Sequence, residues 1–341
     1  MATVKDVARA AGVSLGTVSN VLNGKDGVKP ENREKVFKAM KEVGFHKGRT
    51  ITSRKSKVTK NIGLIIPSIE NPFYPELVRG VEDEAANDGY NIFLCNSDRD
   101  VNKERKYINA LLAKGIDGLI LVKSQLTYKE TKRLSTYTNL VLEDWDREDQ
   151  DEFLGVGAND YVGIVQGMNF LYRYKHRRIG FICGMMESYS SRSKMKAYEK
   201  CLESWGVLYR PEYVVYGDYS WDSGFSMAKE LLKLNPPPTA IFAANDMMAM
   251  GAMKAIRTKG LRIPEDISVL GYDNIEMSKL STPSLTTIHQ PKYQIGVAAV
   301  QLIRQSIQGD NLTGDKGKIL LETRVVTRES VSYAQDDRKG L

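Results

Sequence analysis

Apolar residues recur at helical spacing in two short segments close to the start of the chain. In the first segment they occupy positions i, i+3, i+4 and i+7: Val4, Val7, Ala8 and Ala11. In the second segment the inward positions are Val18, Val21 and Leu22. Thr3 and Asp6 have the spacing of a capping box, Gly12 is placed to end the first helix, and Ser14 is placed to cap the second. The pattern predicts a helix-turn-helix, the arrangement of a DNA reader.

A third helix is predicted over residues 29–44. Pro30 lies in its first turn, and Gly44 is placed to stop it. The inward positions of this helix are Val36, Phe37, Met40 and Val43. Three such helices would close a small core, so we assign residues 1–46 to a headpiece. Residues 47–60 are polar and basic, and we assign them to a hinge linker.

Beyond residue 60, short β-rich runs alternate with amphipathic helical stretches. The first four runs are 62–66, 91–95, 118–122 and 140–143. A second set follows with similar order and spacing: 179–183, 213–216, 240–243 and 267–271. The alternation predicts parallel sheets of βαβ units, and the repetition predicts two similar lobes. Ligands of such sheets bind beyond the carboxyl ends of the strands, so two facing lobes would form a cleft lined by strand-end loops.

The excess positive charge is confined to one end of the chain. Residues 1–60 hold 14 Lys and Arg against 5 Asp and Glu, whereas the remaining residues hold 35 against 37. A basic patch restricted to one small module is typical of a domain that contacts DNA phosphates. The alternative is a solvated basic tail, but such a tail would need neither helix caps nor periodic apolar residues. The charge pattern therefore favours a DNA-binding headpiece.

Several other protein classes lack support in the sequence. The start has no apolar run of a signal peptide, and no segment reaches the roughly eighteen apolar residues of a membrane span, so we expect a cytoplasmic protein without a membrane partner. The cysteines have no CxxC spacing and are expected to be reduced: Cys95, Cys183 and Cys201. The histidines have no metal spacing and no accompanying serine elbow: His46, His176 and His289. Residues 155–160 lack the third glycine of a dinucleotide loop. We expect no enzyme, no metal and no cofactor.

Several separated motifs resemble those of the LacI/GalR family of bacterial transcription regulators. They are VKDVARAAGVS (4–14) with TVS (17–19), IGLIIP (62–67) with NPFY (71–74), AIFAANDMMAMG (240–251), PEDISVLGYD (264–273) and LTTIHQP (285–291). The resemblance runs from residue 3 to about 330. It implies an all-α helix-turn-helix headpiece and a periplasmic-binding-protein-like α/β core of two doubly wound parallel-sheet lobes. It also implies a homodimer, a pseudo-palindromic DNA operator, and a small effector, usually a sugar or nucleobase, in the cleft.

Lobe boundaries within the core (61–330) follow from the same resemblance. We place the first lobe at about 61–159 with 290–318, and the second at about 160–289 with 319–332. Residues 333–341 form a tail without apolar heptads, so we expect a dimer and not a tail-bundled tetramer.

DNA contacts are expected on the open face of the second helix and on flanking positions. The resemblance places them at Ser14, Leu15, Gly16, Thr17, Ser19, Asn20, Asn23, Lys29, Arg33, Ile51 and Arg54. The family commonly has Arg where this chain has Asn20. Asn suits the N6 and N7 edge of adenine, whereas Arg suits O6 and N7 of guanine, so we hypothesise an A·T pair at this operator position. The alternative is that Asn20 touches only phosphate or water.

The linker departs from the family pattern. Family members usually fold it on DNA into a hinge helix bearing Asn-Pro, Ala and a Leu that wedges into the minor groove. The corresponding positions here are Gly48, Ile51 and Arg54, and none matches. Either this hinge stays extended or Ile51 replaces the wedge, with Arg54 entering a narrowed groove. We predict a weaker central DNA kink.

Effector contacts are expected at the strand ends that face the cleft. The resemblance places them at Phe73, Tyr74, Asp144, Trp145, Arg192, Lys194, Tyr219, Asn245, Asp273 and Gln290. Carboxylates and amides bond hydroxyls, and aromatic faces pack on sugar rings, so this set suits a polyol. Lys194 stands where sugar-binding relatives usually have Arg, which leaves the ligand class open. Asp246 is expected to cap the following helix and not to bind ligand, and Asn245 could do both.

These features predict a transcription repressor whose operator affinity is controlled by a small ligand, for which a sugar is favoured. An alternative is a catabolite-control-type regulator that answers to a phosphorylated carrier protein, because residues 91–98 and 217–224 are similar to that branch of the family. A sugar-binding enzyme is a weaker alternative, since Asp144 and Asp273 end corresponding strands and could be read as an acid/base pair.

Overall fold

The computed structural model of the chain describes residues 3–22, 28–43, 58–144, 153–310 and 317–335. The chain divides into two compact units, residues 1–58 and 59–341. Each unit is described by itself below. In the described ranges no helix is long and apolar enough to cross a membrane.

The first unit is a three-helix headpiece of α1 (Val4–Ala11), α2 (Leu15–Leu22) and α3 (Pro30–Glu42). The predicted capping box is present, with the Asp6 side chain accepting from the Thr3 amide at 2.8 Å. Gly12 ends α1 at φ 64°, a left-handed conformation that glycine adopts without strain. The buried core is Val7, Ala8, Val18, Val21, Val36 and Ala39.

One inward position of the headpiece was predicted wrongly. Phe37 is 51% exposed, and the buried residue three positions after Val36 is Ala39. Positions 36 and 39 lie on the same helical face, and a small side chain there lets α3 approach α1 closely. Phe37 lies on a different face of α3 and takes no part in the contact with α1.

The first sheet of the second unit is entirely parallel. Its order is β11-β5-β4-β3-β1-β2. The strands are β1 (Asn61–Ile66), β2 (Asn91–Asn96), β3 (Gly118–Val122), β4 (Asn139–Glu143), β5 (Leu154–Ala158) and β11 (Lys318–Leu321). The helices of this lobe are α4 (Phe73–Asn87), α5 (Val101–Lys114), α6 (Tyr128–Ser135) and α12 (Lys292–Gln308). We call these elements together the N-lobe.

The second sheet has the order β12-β10-β9-β8-β6-β7, with only the β10–β12 pair antiparallel among its described pairings. Its strands are β6 (Ile179–Cys183), β7 (Val214–Tyr216), β8 (Ala240–Ala243), β9 (Ser268–Asp273), β10 (Thr286–His289) and β12 (Arg324–Val326). Its helices are α7 (Asp160–Arg173), α8 (Tyr189–Ser204), α9 (Trp221–Leu231), α10 (Asp246–Thr258) and α11 (Glu276–Leu280). We call these elements the C-lobe.

The two predicted sets of β-rich runs correspond to β1–β4 and β6–β9, so the doubly wound two-lobe core is confirmed. The chain passes between the lobes after β5, after β10 and after β11. The last passage differs from the prediction, which assigned 319–332 to the second lobe. β11 pairs with β5, so residues 319–321 belong to the N-lobe sheet. A four-residue edge strand with half-buried side chains carries little apolar signal for such an assignment.

Close helix packing fixes the N-lobe around its sheet. α4 and α12 cross at Gly80 and Gly296, where an added Cβ would overlap the carbonyl oxygens of Tyr293 and Leu77 respectively. Glycine is therefore needed for this approach of two backbones. The packed helices hold the N-terminus of α4 at the edge where β1, β3 and β4 end.

Candidate DNA-binding surface and effector cleft

The open face of α2 carries small polar side chains, as the sequence predicts. Val18 and Val21 are buried, while Ser14, Gly16, Ser19 and Asn20 are exposed, and Leu15 is 47% exposed. Ser14 caps the helix, accepting from the Thr17 amide at 3.1 Å. Thr17 and Arg33 are half-buried and Lys29 is exposed. Three predicted DNA contacts lie outside the described residues: Asn23, Ile51 and Arg54.

The strand ends of both lobes enclose a cavity of about 440 Å³. From the predicted effector set, Asp144, Arg192 and Tyr219 line this cavity. Phe73 and Tyr74 are buried at the start of α4, with their rings 5.2 Å apart. Trp145 lies outside the described residues. The cavity has the size and the mixed lining of a small-molecule site.

Three of the predicted effector residues are bonded to neighbouring protein groups in the C-lobe wall. Asn245 caps α10, accepting from the Met248 amide at 2.9 Å, and donates to the Tyr219 carbonyl at 3.0 Å. The carboxylate of Asp273 accepts from the Gln290 side chain at 2.7 Å. These three side chains are buried and well bonded, so the arrangement gives each of them a structural role.

Asp246 is fully buried and acts inside the C-lobe. Its two carboxyl oxygens accept from the Ile275 amide at 2.9 Å and the Thr287 hydroxyl at 2.5 Å. Burial, with Asp273 close by, raises the pKa of Asp246 to about 8. The sequence predicted Asp246 as a helix cap, but the α10 cap is Asn245, because its side chain is the one that reaches the Met248 amide.

Lys194, on α8, is 3% exposed, and its ammonium contacts groups of the C-lobe. Its ammonium is 3.4 Å from the carboxylate of Asp160 and 4.0 Å above the ring centre of Tyr272. Burial alone would lower the pKa of Lys194, but the nearby Asp160, Tyr219 and Asp273 together outweigh burial, and the pKa is raised. The ammonium stays charged because a carboxylate and an aromatic face compensate it.

Two residues from the N-lobe wall reach across to the C-lobe. Lys123, which follows β3, donates to the carboxylate of Asp144 at 3.2 Å and to the hydroxyl of Ser190 at 3.1 Å. Asp144 also accepts from the Ser190 amide at 2.8 Å, at the N-terminus of α8, where a negative charge is favoured. Both residues have positive φ, 49° and 62°, which turns the chain sharply at the strand ends. Sequence reasoning missed Lys123, although its position directly after a buried strand was the available signal.

Glu143 is a second residue that sequence reasoning missed. It is the last residue of β4, is 5% exposed and lines the cavity. Its Oε2 atom has no hydrogen-bond partner among the described residues. Burial, with Asp144 and Asp160 nearby, raises the pKa of Glu143 to about 7 against the opposing effect of Lys123.

Further contacts close the cavity at its rim. Arg99 of the N-lobe donates to the Asp218 carbonyl at 2.9 Å and lies over the ring of Tyr219 at 5.1 Å. The Tyr219 hydroxyl lies 2.5 Å from that of Ser191. Arg192 donates to two carbonyls of its own lobe, at Met186 (3.2 Å) and Glu187 (2.8 Å).

The histidines and cysteines of the described ranges show no catalytic or metal-binding arrangement. His176 is buried between the Thr239 hydroxyl and the Ser332 carbonyl, both at 3.0 Å, and burial lowers its pKa to about 4. His289 lies 3.2 Å from Asn274. Within these ranges no group of three His, Cys, Asp or Glu residues could hold a metal ion.

A helix-turn-helix unit joined to a two-lobed, strand-end cleft defines a DNA-binding regulator with a periplasmic-binding-protein-like core. Comparison with known proteins agrees in both parts. The family model for bacterial regulatory proteins of the lacI family matches residues 3–47, and the model for the periplasmic binding protein-like domain matches residues 168–331.

Individual relatives match along nearly the whole chain. The HTH-type transcriptional repressor PurR of Pasteurella multocida (strain Pm70) is 34% identical over 97% of this chain and 99% of its own length. Catabolite control protein A of Priestia megaterium is 35% identical over 96% and 98%. The chain therefore belongs to the lacI family of bacterial regulatory proteins. It is a DNA-binding transcription regulator and not an enzyme.

Solved structures share the fold of the whole chain. The complex of transcriptional regulator CelR with cellobiose has a TM-score of 0.74 at 28% identity, covering 97% of this chain and 100% of that one. The lac repressor dimer bound to operator and the anti-inducer ONPF has a TM-score of 0.73 at 29% identity, covering 97% and 99%.

Proposed function

We propose that the protein is a repressor that binds a pseudo-palindromic operator as a homodimer and releases it when a small ligand binds between the lobes. The observation that carries this proposal is the cavity of about 440 Å³ at the strand ends, which both lobes line. A ligand held there contacts both lobes, so its affinity depends on the angle between them. Only such a differential affinity can shift the lobe arrangement and, through it, DNA binding.

The polar contacts across the cleft hold the two lobes in one arrangement, and a ligand can change how stable that arrangement is. Lys123 and Asp144 reach Ser190, and Arg99 reaches the Asp218 carbonyl. A ligand that replaces these contacts changes the relative stability of open and closed lobes. Coupling of this kind is typically worth about 1–3 kcal/mol.

A sugar is the ligand class that the cleft supports best. Asp144 and Arg192 offer an acceptor and donors for hydroxyl groups, and the ring of Tyr219 is an aromatic surface at the same cavity. The structurally similar CelR is a complex with cellobiose, which supports the same class. The phosphorylated carrier protein remains the alternative, supported by the likeness to catabolite control protein A.

Selection of DNA sites from genomic fragments by the purified protein, at a stated salt concentration, tests the DNA-binding half of the proposal. We expect an enriched palindrome with an A·T pair at the position read by Asn20. The Asn20→Arg variant should shift that position towards G·C, since each good side-chain pair discriminates by about 1–3 kcal/mol.

The control variant is Lys38→Ala, on the exposed face of α3, which should keep the selected sequence unchanged. A non-palindromic site or no enriched site would contradict the homodimeric operator reader. Enrichment that appears only after a phosphorylated carrier protein is added would favour the alternative. An Asn20→Arg variant with unchanged base preference at every position would overturn the A·T assignment.

A further inference from the structure

We propose that the effector carries a positively charged nitrogen beside its hydroxyl groups, as an amino sugar does, and that Glu143 binds this nitrogen. The inference rests on the proposed function, because it needs a small ligand in the cleft. The chemical class of the ligand is inferred from Glu143. Among the described residues of the cleft, it is the one buried carboxylate with an oxygen that has no hydrogen-bond partner.

The position of Glu143 makes its carboxylate available to a ligand. Glu143 ends β4 and lines the cavity of about 440 Å³ together with a smaller one of about 20 Å³ beside it. Asp160 and Ser193 line the smaller cavity, which has room for a single small group such as a water or an ammonium. A buried acceptor without a donor destabilises the protein, so a ligand that brings a donor to it gains affinity.

The charges around Glu143 decide which kind of donor fits. Its carboxylate is close to Lys123, Asp144, Asp160 and Lys194. Each lysine faces its own aspartate, Lys123 with Asp144 at 3.2 Å and Lys194 with Asp160 at 3.4 Å. Glu143 is the fifth charge of this group and shares Lys123 with Asp144, so three carboxylates face two ammonium groups. A neutral hydroxyl would leave its negative charge uncompensated, whereas an ammonium would neutralise it.

The arginines at the cavity rim do not neutralise the carboxylate of Glu143. Arg99 donates to the Asp218 carbonyl, and Arg192 donates to the carbonyls of Met186 and Glu187. Both guanidiniums therefore help to hold rim loops in place. The groups that face the Glu143 carboxylate remain the two lysine–aspartate pairs and the Tyr74 ring.

The test is calorimetric binding of matched ligand pairs to the full chain. Glucose and N-acetylglucosamine serve as neutral members, and 2-amino-2-deoxyglucose and 6-amino-6-deoxyglucose as charged members. We expect at least one amino sugar to bind tenfold or more tightly than its neutral partner. The Glu143→Gln variant should lose this preference and keep its affinity for neutral members within about threefold. Glu199→Gln, at an exposed carboxylate of α8 outside the cavity lining, should retain the preference.

A pH series on the unmodified protein provides a second readout that does not depend on a variant folding. The amine preference should decline as pH falls below about 7, because Glu143 takes up a proton and no longer attracts a cation. Affinity for neutral members should change less over the same range.

Three results would overturn the inference. The first is that no amino sugar binds more tightly than its neutral partner, which includes the case in which no ligand binds. The second is that the Glu143→Gln variant keeps the preference for amino sugars. The third is that this preference does not change with pH. The first result would mean that Glu143 is satisfied by water alone. If neutral sugars bind the protein and cause it to release the operator, the proposed function remains supported. If amino sugars are preferred but have no effect on DNA binding, the proposed function is contradicted and the inference about Glu143 remains supported.

Discussion

The strand ends of the two lobes hold similar polar residues in different states of bonding. At the ends of β9 and β10, Asp273 accepts from Gln290, and the ammonium of Lys292 donates to the Asp273 and Asn274 carbonyls at 2.6 and 3.3 Å. At the end of β4, Glu143 has an oxygen without a partner among the described residues. Buried polar networks that are fully bonded make a structure rigid, whereas an unbonded buried group can take a further partner, such as a water, an ion or a ligand.

The strand-end carboxylates at cleft depth fall into two groups. Asp246 and Asp273 are carboxylates at cleft depth, yet their partners are side chains and amides of the core. Asp144 instead reaches the other lobe through Ser190. The β9–β10 end thus supports the cleft, and the β3–β4 end is the part of it that a ligand can change.

The largest effect on stability is expected from Lys292→Met, which removes hydrogen bonds at the ends of β9 and β10. The ammonium of Lys292 is fully buried, bonds three carbonyls and lies 3.1 Å from the carboxylate of Glu76. Its removal leaves these carbonyls without their donor, so we expect a loss of about 3 kcal/mol in the free energy of unfolding. Urea denaturation followed by circular dichroism measures it.

Lys279→Met is the matched control for that variant. Lys279 pairs with Glu276 on the surface of α11 and is half-exposed, so its loss should cost less than about 0.5 kcal/mol. Equal effects of the two variants would show that the β9–β10 end is not the rigid support described here.

A smaller effect, of opposite sign, is expected from Glu143→Gln at the unbonded end. In the unfolded chain this carboxyl titrates near 4.5, and in the folded protein its pKa is about 7. Ionisation therefore costs the folded state, and wild-type stability falls as pH rises from about 4.5 through 7. Glutamine does not ionise, so the variant should gain on the order of 2 kcal/mol relative to wild type between pH 4.5 and pH 8.

The difference between the two unfolding curves at each pH is the quantity to compare. His176, whose pKa is lowered to about 4 by burial, destabilises both proteins equally as pH falls below 6.5 and cancels in this difference. A difference that stays constant across the range, or that grows towards low pH, would show that Glu143 is compensated in the folded protein.

The smallest effect is expected from Arg99→Met, at the contact between the rims of the two lobes. Arg99 is half-buried, with one carbonyl bond and one ring contact across the cleft. Contacts of this kind contribute about 0.5–1 kcal/mol, so stability should change by no more than that. A loss above about 2 kcal/mol would mean that the lobes are locked together at this rim and would not open readily for a ligand.

Much of the fold could be predicted from the sequence because its pattern is strong. The local signals include the helix caps at Thr3 and Ser14 and the β-rich runs of β1 and β6, which end before residues 67 and 184. Tertiary contacts did not override these signals. The misplaced residues had weaker ones. Phe37 is apolar but lies off the packed face, and β11 is an edge strand whose pairing with β5 depends on a distant segment.

The candidate site was predictable only in part, because three of the nine described residues in the predicted effector set line the cavity. Strand-end residues such as Asp144 and Tyr219 line the cavity as expected. Sequence alone does not show that Asn245 and Gln290 are engaged by neighbours, nor that Lys123 and Glu143 meet at adjacent strand ends. Those facts depend on which side chains the parallel register of β3 and β4 brings together.

We propose that ligand binding in the cleft controls DNA binding, and the affinity for operator DNA reports this control. The dissociation constant for the selected DNA site is measured by fluorescence anisotropy, at fixed salt, with and without a saturating ligand that calorimetry has shown to bind the core. We predict that the ligand weakens DNA binding by at least about fivefold, the lower end of typical allosteric coupling. A bound cleft ligand that leaves the dissociation constant unchanged would contradict the claim.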